Sequence, residues 1–157
     1  MAQPMSATNP FLNFPYGPIQ MECEAHDLVV EGEVPADLCG TLFRAGPNQR
    51  FKPRGDYHLF MGDGMVHGVR LQGGRAHWYR NRWIRTTSLA EEIAAGHTLW
   101  KGLKEPPRRD RPDEPQKNNS NTDVKFHAGK LLTMFYLTGK PYHLDIHTLE
   151  MIITSLA

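Results

Sequence analysis

The sequence contains only two cysteines, Cys23 and Cys39, and they do not form a Cys-x-x-Cys pair. Two cysteines in a chain of 157 residues cannot build a disulfide framework, which excludes a small secreted domain held together by several bridges. Their scarcity predicts a reduced, cytoplasmic protein, with a single disulfide bridge as the alternative.

Long apolar runs are also missing. The longest strongly apolar stretch, residues 131–137, contains Thr133 and is far shorter than the roughly 20 residues that a transmembrane helix needs. Residues 1–14 have neither the basic start nor the continuous apolar core of a signal peptide. The sequence therefore predicts a soluble chain without a transmembrane segment, or one that touches a membrane only at its surface.

Net charge is almost absent, because 18 lysines and arginines face 17 aspartates and glutamates. A net charge of +1 gives no electrostatic reason to bind nucleic acid, and we expect no such partner. The most basic run, residues 108–111, is followed at once by Asp113 and Glu114. This run predicts a solvated loop.

Motifs for catalysis and metal binding are missing as well. No Gly-x-Ser-x-Gly elbow supports an esterase. Residues 62–65 lack the spacing of a phosphate-binding loop and predict an ordinary tight turn. None of the histidines shows the spacing of a zinc site, although they are numerous: His26, His58, His67, His77, His97, His127, His143 and His147. We therefore assign no catalytic residue and no metal ligand.

Short strands separated by glycine and proline turns dominate what is present. The pattern predicts strands at residues 27–31, 41–44, 57–60, 65–71, 75–82, 122–126, 130–137 and 142–145. The turn between the fourth and fifth strands contains Gly73 and Gly74, which supply the positive φ of a hairpin. This arrangement predicts an all-β sandwich, barrel or propeller.

Three other segments stand apart from the strands. Residues 1–20 contain four prolines and predict an extended arm that lies over a larger body, residues 21–157, through Phe11, Phe14 and Tyr16. One short helix is predicted, with Ser88 and Glu91 as a capping box and Gly96 at its end. Residues 101–121 are rich in proline and charge, which predicts a surface loop or linker.

Five blocks of sequence resemble the carotenoid cleavage oxygenase family and occur in its order. They are VEGEVPADLCGTLFRAGPN at residues 30–48, YHLFMGDGMVH at 57–67, RNRWIRT at 80–86, NTDVKFHAGKLL at 121–132 and GKPYHLDIHTLE at 139–150. The resemblance implies the N-terminal part of a seven-bladed β-propeller with one short helix. It also implies an enzyme that binds O2 at a ferrous iron and cleaves a conjugated carbon–carbon double bond into two carbonyl products.

The resemblance places the iron outside this chain. In the family, four histidines hold the Fe(II), and the first of them follows the block that ends here at Glu150. We therefore expect a fragment that binds no catalytic iron and is inactive alone. The longer protein would act on a small hydrophobic alkene, of carotenoid, apocarotenoid or stilbene type, together with O2.

Several matched residues have roles that the resemblance suggests. Three glycines are expected at backbone positions that other residues disfavour: Gly46, Gly62 and Gly64. Four charged residues are expected to form ion pairs beneath the central channel, with partners that the sequence leaves open: Arg44, Asp63, Arg82 and Arg85.

Two residues are candidates for substrate binding, Phe60 and Lys125. Lys125 interrupts the alternation of its strand, and lignostilbene-type members use a lysine and a tyrosine to hold the phenol of their substrate. An ammonium near a phenol would stabilise the phenolate. The alternative is a lysine whose stem reaches solvent at a strand edge. Phe60 would line the same pocket.

Two rival functions remain open at this stage. One is a non-catalytic binding or interaction module, and the other is a complete small β-domain of unrelated activity. A propeller cut after one or two blades would expose strand edges and apolar faces, so the fragment reading also predicts poor solubility.

Overall fold

The computed structural model describes residues 9–102, 106–110, 112, 115–136 and 139–152. Seven strands and one α-helix make up the regular structure of these residues, together with short 3-10 turns at Pro10–Leu12 and Leu59–Met61. The strands are β1 (Cys23–Leu28), β2 (Gly40–Pro47), β3 (Gly64–Gln72), β4 (Arg75–Trp83), β5 (Asp123–His127), β6 (Lys130–Met134) and β7 (Tyr142–Leu144), and the helix is α1 (Thr87–Ala95).

The first sheet is antiparallel and has the strand order β1-β4-β3-β2. Its centre is the predicted hairpin of β3 and β4, where Met65 pairs with Trp83 and Gln72 with Arg75. Gly73 and Gly74 have φ angles of 56° and 74°, the left-handed conformation that the tight turn requires. The hairpin prediction is therefore confirmed.

The second sheet has the order β5-β6-β7 and is also antiparallel. Its first turn contains Ala128 at φ 48° and Gly129 at φ 77°. The three strands predicted for this sheet agree with the structure within a few residues, except that Leu137, at the end of the predicted segment 130–137, lies outside the described residues.

One apolar core joins the two sheets. Leu131 and Leu144 from the second sheet are buried against Val66 of β3, Ile84 after β4, and Leu149 near the end of the chain. Burying a side chain of this size contributes roughly 1.5–3 kcal/mol. The sheets are thus held as one unit by residues that are far apart in sequence.

Helix α1 begins two residues earlier than the sequence suggested. The N-cap is Thr86, whose Oγ1 accepts a hydrogen bond from Leu89 N at 3.1 Å, and not Ser88, which is buried inside the helix. Gly96 ends the helix in the left-handed conformation, as predicted. Leu89 packs with Met65 and Trp83 in a second apolar cluster on the other face of the first sheet.

Two predicted strands are wrong. Residues 27–31 leave the sheet after Leu28, since Asp27 adopts a φ of 48° and Val29 is exposed. Residues 57–60 form a 3-10 turn instead, because the ring nitrogen of His58 accepts a hydrogen bond from Phe60 N and closes the turn. In both places a local side-chain or backbone preference overrides the apolar pattern.

The described part of the N-terminal arm touches the body through Asn9 and Leu12. Asn9 donates to the Tyr57 carbonyl at 2.8 Å, and Leu12 is buried. The ring centroid of Phe11 lies 4.9 Å from that of His58, whereas Phe14 is 98% exposed. Residues 1–8 lie outside the described part of the chain, and the division at residue 20 stays a prediction.

The described residues thus form a mostly β structure with one short α-helix. Two open sheets are present over these ranges, and a closed propeller is not. In the same ranges, none of the helices has the length and apolar character required to cross a membrane.

Candidate functional site

Residues 117–121, which we call the polar strap, are completely or almost completely buried. This corrects the prediction that residues 101–121 form a surface loop as a whole. A polar segment can enter the interior only if its hydrogen-bonding groups find partners there. The strap finds partners on both sheets and on helix α1, except that the side-chain amide of Asn119 is buried with neither its oxygen nor its nitrogen hydrogen-bonded to any described residue.

Lys117 lies at the centre of a buried charge cluster. Its Nζ is 2.5 Å from Asp63 Oδ1 and 2.7 Å from Glu92 Oε2. Burial alone would lower the pKa of Lys117, but the two carboxylates, Asp63 first, outweigh burial and raise it. Asp63 was expected to form an ion pair, and Lys117 is its partner. Its second oxygen accepts a hydrogen bond from Arg50 N at 3.0 Å.

Glu92 connects this cluster to the segment that follows helix α1. Its Oε1 accepts hydrogen bonds from Thr98 Oγ1 at 2.7 Å and from Leu99 N at 2.8 Å. A fully buried carboxylate is tolerated only with such a set of donors. Helix α1, the segment after it and the strap therefore depend on the same glutamate.

The far end of the strap holds the turn that carries Phe60. Asn121 Nδ2 donates to the carbonyl oxygens of Phe60 at 2.9 Å and Gly62 at 2.6 Å. Gly64 N donates to the Asn119 carbonyl at 2.8 Å. These bonds fix the beginning of β3 against the strap.

The three predicted glycines differ in what they do. A Cβ at Gly62 would lie 2.9 Å from Asn48 N, and one at Gly64 would lie 2.6 Å from the Asn119 carbonyl oxygen. The close approach of backbone atoms therefore explains why both positions are occupied by glycine. The expectation for Gly46 is wrong, because a Cβ there would meet nothing within 4 Å and its φ is not positive.

The strap also reaches the second sheet. Ser120 Oγ donates to Thr133 Oγ1 of β6 at 2.8 Å, with both residues fully buried. Asn118 Nδ2 donates to the Lys140 carbonyl at 3.1 Å. The strap is thus a polar joint between the two sheets, beside their shared apolar core.

Exposed aromatic side chains lie next to the end of the strap. Phe60 is 56% exposed, and its ring centroid lies 4.7 Å from that of His58. Phe135 and Tyr136 follow β6, whose last carbonyl, at Met134, accepts a hydrogen bond from Thr122 N. Neither residue was predicted to belong to a site, although two adjacent aromatic residues at a strand end are a visible signal in the sequence.

Lys125 lies on the exposed face of β5. Its neighbour Val124 packs toward the core, and successive side chains of a strand alternate between its faces. The Lys125 side chain is 66% exposed, and its Nζ is 3.5 Å from Asp123 Oδ2. The substrate-binding roles of Phe60 and Lys125 stay predictions.

The other expected ion pairs lie on the first sheet. Glu24 binds Arg80 at 2.5 Å and Arg82 at 3.1 Å. The contact with Arg80, and after it that with His26, lowers the pKa of Glu24 to about 2. Arg85 pairs with Glu22. Arg44 lies opposite His67 in the backbone register of β2 and β3, and among the described residues it has no acidic partner within ion-pair distance.

Five of the histidines make side-chain contacts within the structure: His26, His58, His67, His77 and His97. His67 Nδ1 lies 2.9 Å from the Tyr79 hydroxyl, and burial, then Arg44, lowers the pKa of His67. Within the described ranges, no group of three or more His, Cys, Asp or Glu side chains is placed to hold a metal ion. The described residues therefore do not fit a ferrous iron.

The match to a family model identifies the class of protein. Residues 16–155 match the model described as RPE65, retinal pigment epithelial membrane protein. The chain therefore belongs to the carotenoid cleavage oxygenase family, as the five sequence blocks suggested.

Individual relatives refine this assignment. The chain is 38% identical over 138 residues to a carotenoid cleavage oxygenase of Mycobacterium tuberculosis, covering 85% of this chain and 25% of the relative. It is 40% identical over 136 residues to resveratrol cleavage oxygenase 1 of Chaetomium globosum, covering 85% and 22%. The chain thus spans about a quarter of the length of these relatives.

Solved structures agree with the sequence matches. Lignostilbene dioxygenase of Pseudomonas brassicacearum superposes with a TM-score of 0.79 at 30% identity, over 92% of this chain and 30% of that one. A variant of Synechocystis apocarotenoid oxygenase gives a TM-score of 0.69 at 30% identity, over 86% and 29%. The two sheets and their joint therefore correspond to one part of these larger enzymes.

Proposed function

We propose that this chain is the N-terminal part of a longer non-haem Fe(II) dioxygenase. The longer protein would use O2 to cleave a conjugated carbon–carbon double bond of a carotenoid, apocarotenoid or stilbene-like alkene. The observation that carries the proposal is the family match over residues 16–155. Relatives named for carotenoid, resveratrol and lignostilbene cleavage support the substrate class.

In this proposal the chain supplies scaffold and part of a substrate pocket. The two sheets would belong to neighbouring blades of a seven-bladed propeller, and the strap would hold them in register. The iron ligands would come from histidines outside this chain, which would be inactive alone. The lack of a metal-binding group among the described residues is consistent with this division.

The proposed pocket role of Phe60 and Lys125 depends on the remainder of the longer protein. The exposed Phe60 ring offers a flat apolar surface for a conjugated substrate. The Lys125 ammonium would stabilise a substrate phenolate, an effect that grows when water is excluded. Covering of β5 by further chain would exclude that water.

We also propose a cytoplasmic location with possible contact to a membrane surface. Cys23 and Cys39 are both free and exposed, which suits a reducing compartment. Phe14, Tyr16 and Met21 expose apolar side chains along one short segment. Such a segment could receive a hydrophobic substrate from a lipid surface.

The test compares two proteins. One is the 157-residue chain, and the other is the longer protein encoded when the DNA beyond the codon of Ala157 is included in its correct frame. Both are supplied with Fe(II), O2 and either 4-hydroxystilbene or an apocarotenal, and the aldehyde products and bound iron are measured. We expect stoichiometric iron and aldehydes from the longer protein alone.

Two results would contradict the proposal. Stoichiometric iron or product from the 157-residue chain would show that the ligands lie within it. DNA that encodes no further histidine-containing blocks in any frame would favour the alternative of a binding module. That alternative has some structural support, since the two sheets already share one core.

A further inference from the structure

A groove of about 430 Å³ lies between the two sheets, away from the strap. Its apolar walls come from both sheets and from the segment after β7: Phe43, Trp78, Phe126 and Ile146. Ligand pockets in proteins usually have volumes of about 300–1,000 Å³ and walls of this composition. The groove is therefore large enough for an aliphatic chain.

Gly68 shapes the floor of the groove because it has no side chain. A Cβ on Gly68 would lie 3.0 Å from Cζ3 of Trp78, so glycine allows the indole to lie against β3. The guanidinium carbon of Arg80 lies 4.9 Å from the centre of the Trp78 ring and holds it from the other side. The indole is thus fixed before any ligand arrives.

One wall of the groove is fixed by a capped turn. Asp145 Oδ1 accepts hydrogen bonds from His147 N at 2.8 Å and Thr148 N at 2.7 Å, and these bonds lower the pKa of Asp145. Arg80 Nη1 donates to the His147 carbonyl oxygen. A preformed wall reduces the entropy that a ligand must lose on binding.

The ionisable side chains that line the groove are all basic. Arg70 and His147 line it, and no carboxylate does. Arg70 Nη2 contacts Gln72 Oε1 at 3.1 Å and Cys39 Sγ at 3.6 Å, neither of which is a carboxylate. Among the described residues no acidic side chain pairs with Arg70, in contrast to Arg80, Arg82 and Arg85.

We propose that this groove binds an apolar molecule that ends in a carboxylate, such as a long-chain fatty acid. The chain of the ligand packs against Trp78 and Phe126, and its carboxylate accepts hydrogen bonds from Arg70. A guanidinium beside an aromatic floor is suited to such a ligand because it can bind both carboxylate oxygens at once. This binding needs neither iron nor the proposed cleavage reaction.

The first experiment uses the unmodified 157-residue chain at pH 8, where a carboxylic acid is ionised. Dodecanoate and dodecanol are titrated below the concentrations at which they form micelles, and tryptophan fluorescence reports binding. We expect saturable binding, with dodecanoate at least tenfold tighter. Equal affinities, or no saturable binding, would overturn the proposal.

Substitutions locate the site. Arg70→Gln is expected to weaken dodecanoate binding about tenfold, which corresponds to one charge-assisted hydrogen bond. Arg75→Gln is the matched control, because Arg75 lies on the same sheet but is exposed and paired with Asp27 outside the groove. An equal loss from both variants would overturn the role of Arg70.

Two further variants keep the result interpretable. Trp78→Phe should abolish the fluorescence response, while isothermal titration calorimetry should still detect binding. Gly68→Ala should push the indole into the groove and weaken both ligands without changing their ratio. A fluorescence response that persists in Trp78→Phe would place the ligand elsewhere and contradict the proposed groove.

Discussion

The ammonium of Lys117 lies 2.5 Å from the carboxylate of Asp63, and both side chains are almost completely buried. Glu92 contacts the same ammonium from helix α1. One lysine thus forms ion pairs with two carboxylates that have almost no access to water. Removal of this lysine would leave two buried negative charges close together, which is far more costly than losing a surface ion pair.

We therefore expect Lys117→Met to lower the free energy of unfolding by about 3–5 kcal/mol, the usual cost of breaking a buried pair. Urea denaturation followed by circular dichroism measures this change. Lys130→Met is the matched control, because Lys130 is exposed at the start of β6 and should change stability by less than about 0.5 kcal/mol. Similar losses in both variants would contradict the central role of the cluster.

The same cluster predicts a dependence on alkaline pH. The folded-state pKa of Lys117 is raised above the usual lysine value of 10.5, so its stabilisation is complete below that pH and is lost as pH rises through the folded-state pKa. The unmodified chain should therefore lose more stability above about pH 10.5 than Lys117→Met does. Tyr57, whose pKa burial also raises, contributes to both proteins. Parallel curves for the two proteins would exclude this linkage.

A glycine pair tests the packing of the strap. Gly64→Ala would place a Cβ 2.6 Å from the carbonyl oxygens of Asn119 and Ser120, and backbone cannot move aside cheaply. We expect a loss of about 1–3 kcal/mol in the free energy of unfolding. Gly46→Ala, opposite Met65 in the same sheet, has nothing within 4 Å and should be close to neutral. Thermal denaturation of both variants decides the matter, and equal effects would refute the steric explanation.

Low pH should reveal how much Glu24 contributes to the stability of the fold. Its pKa is lowered from 4.5 to about 2, mainly by Arg80 and also by His26, so its stabilising contribution is present above pH 4.5 and is lost as pH falls toward 2. The Glu24 side chain is one-third exposed, and solvent weakens the effect. Glu24→Gln should therefore flatten the dependence of the unfolding midpoint on pH in this range. Asp27→Asn, at an exposed pair with Arg75, should leave it unchanged.

Lys125 provides a test of substrate choice in the longer protein. If its ammonium binds a phenolate, Lys125→Ala should lower kcat/KM for a hydroxystilbene by about tenfold and leave apocarotenoid cleavage nearly unchanged. Lys130→Ala, on the neighbouring strand of the same hairpin, is the control. An equal loss on both substrates would indicate a structural role for Lys125.

Local chemistry explains where the sequence predicted the fold well. The β3–β4 hairpin was predictable because Gly73 and Gly74 favour a tight turn regardless of how the two strands pack. The end of helix α1 at Gly96 was predictable for the same reason. The helix start was harder, since Thr86, Thr87 and Ser88 are all plausible caps and tertiary packing buries the last of them.

Long-range contacts explain where the prediction from the sequence failed. Lys117 was predicted to lie in a surface loop because it follows a proline-rich, charged stretch. Its ion pairs with Asp63 and Glu92 could not be predicted, since both partners are distant in sequence. The hydrogen bond from Asn121 to the carbonyl oxygen of Phe60 likewise joins two positions 61 residues apart. The family was recognisable from ordered blocks, but the partners of its charged residues required the structure.

The polar strap has a consequence for the integrity of the chain. Arg109 and Asp110 are exposed, and a trypsin-like protease could cut the bond between them. The two pieces would not separate, because Lys117 of the second piece is bound to Asp63 and Glu92 of the first, beside an apolar core that both pieces share. The two pieces, produced separately, should therefore reassemble on mixing, as a protein reconstituted from noncovalent halves.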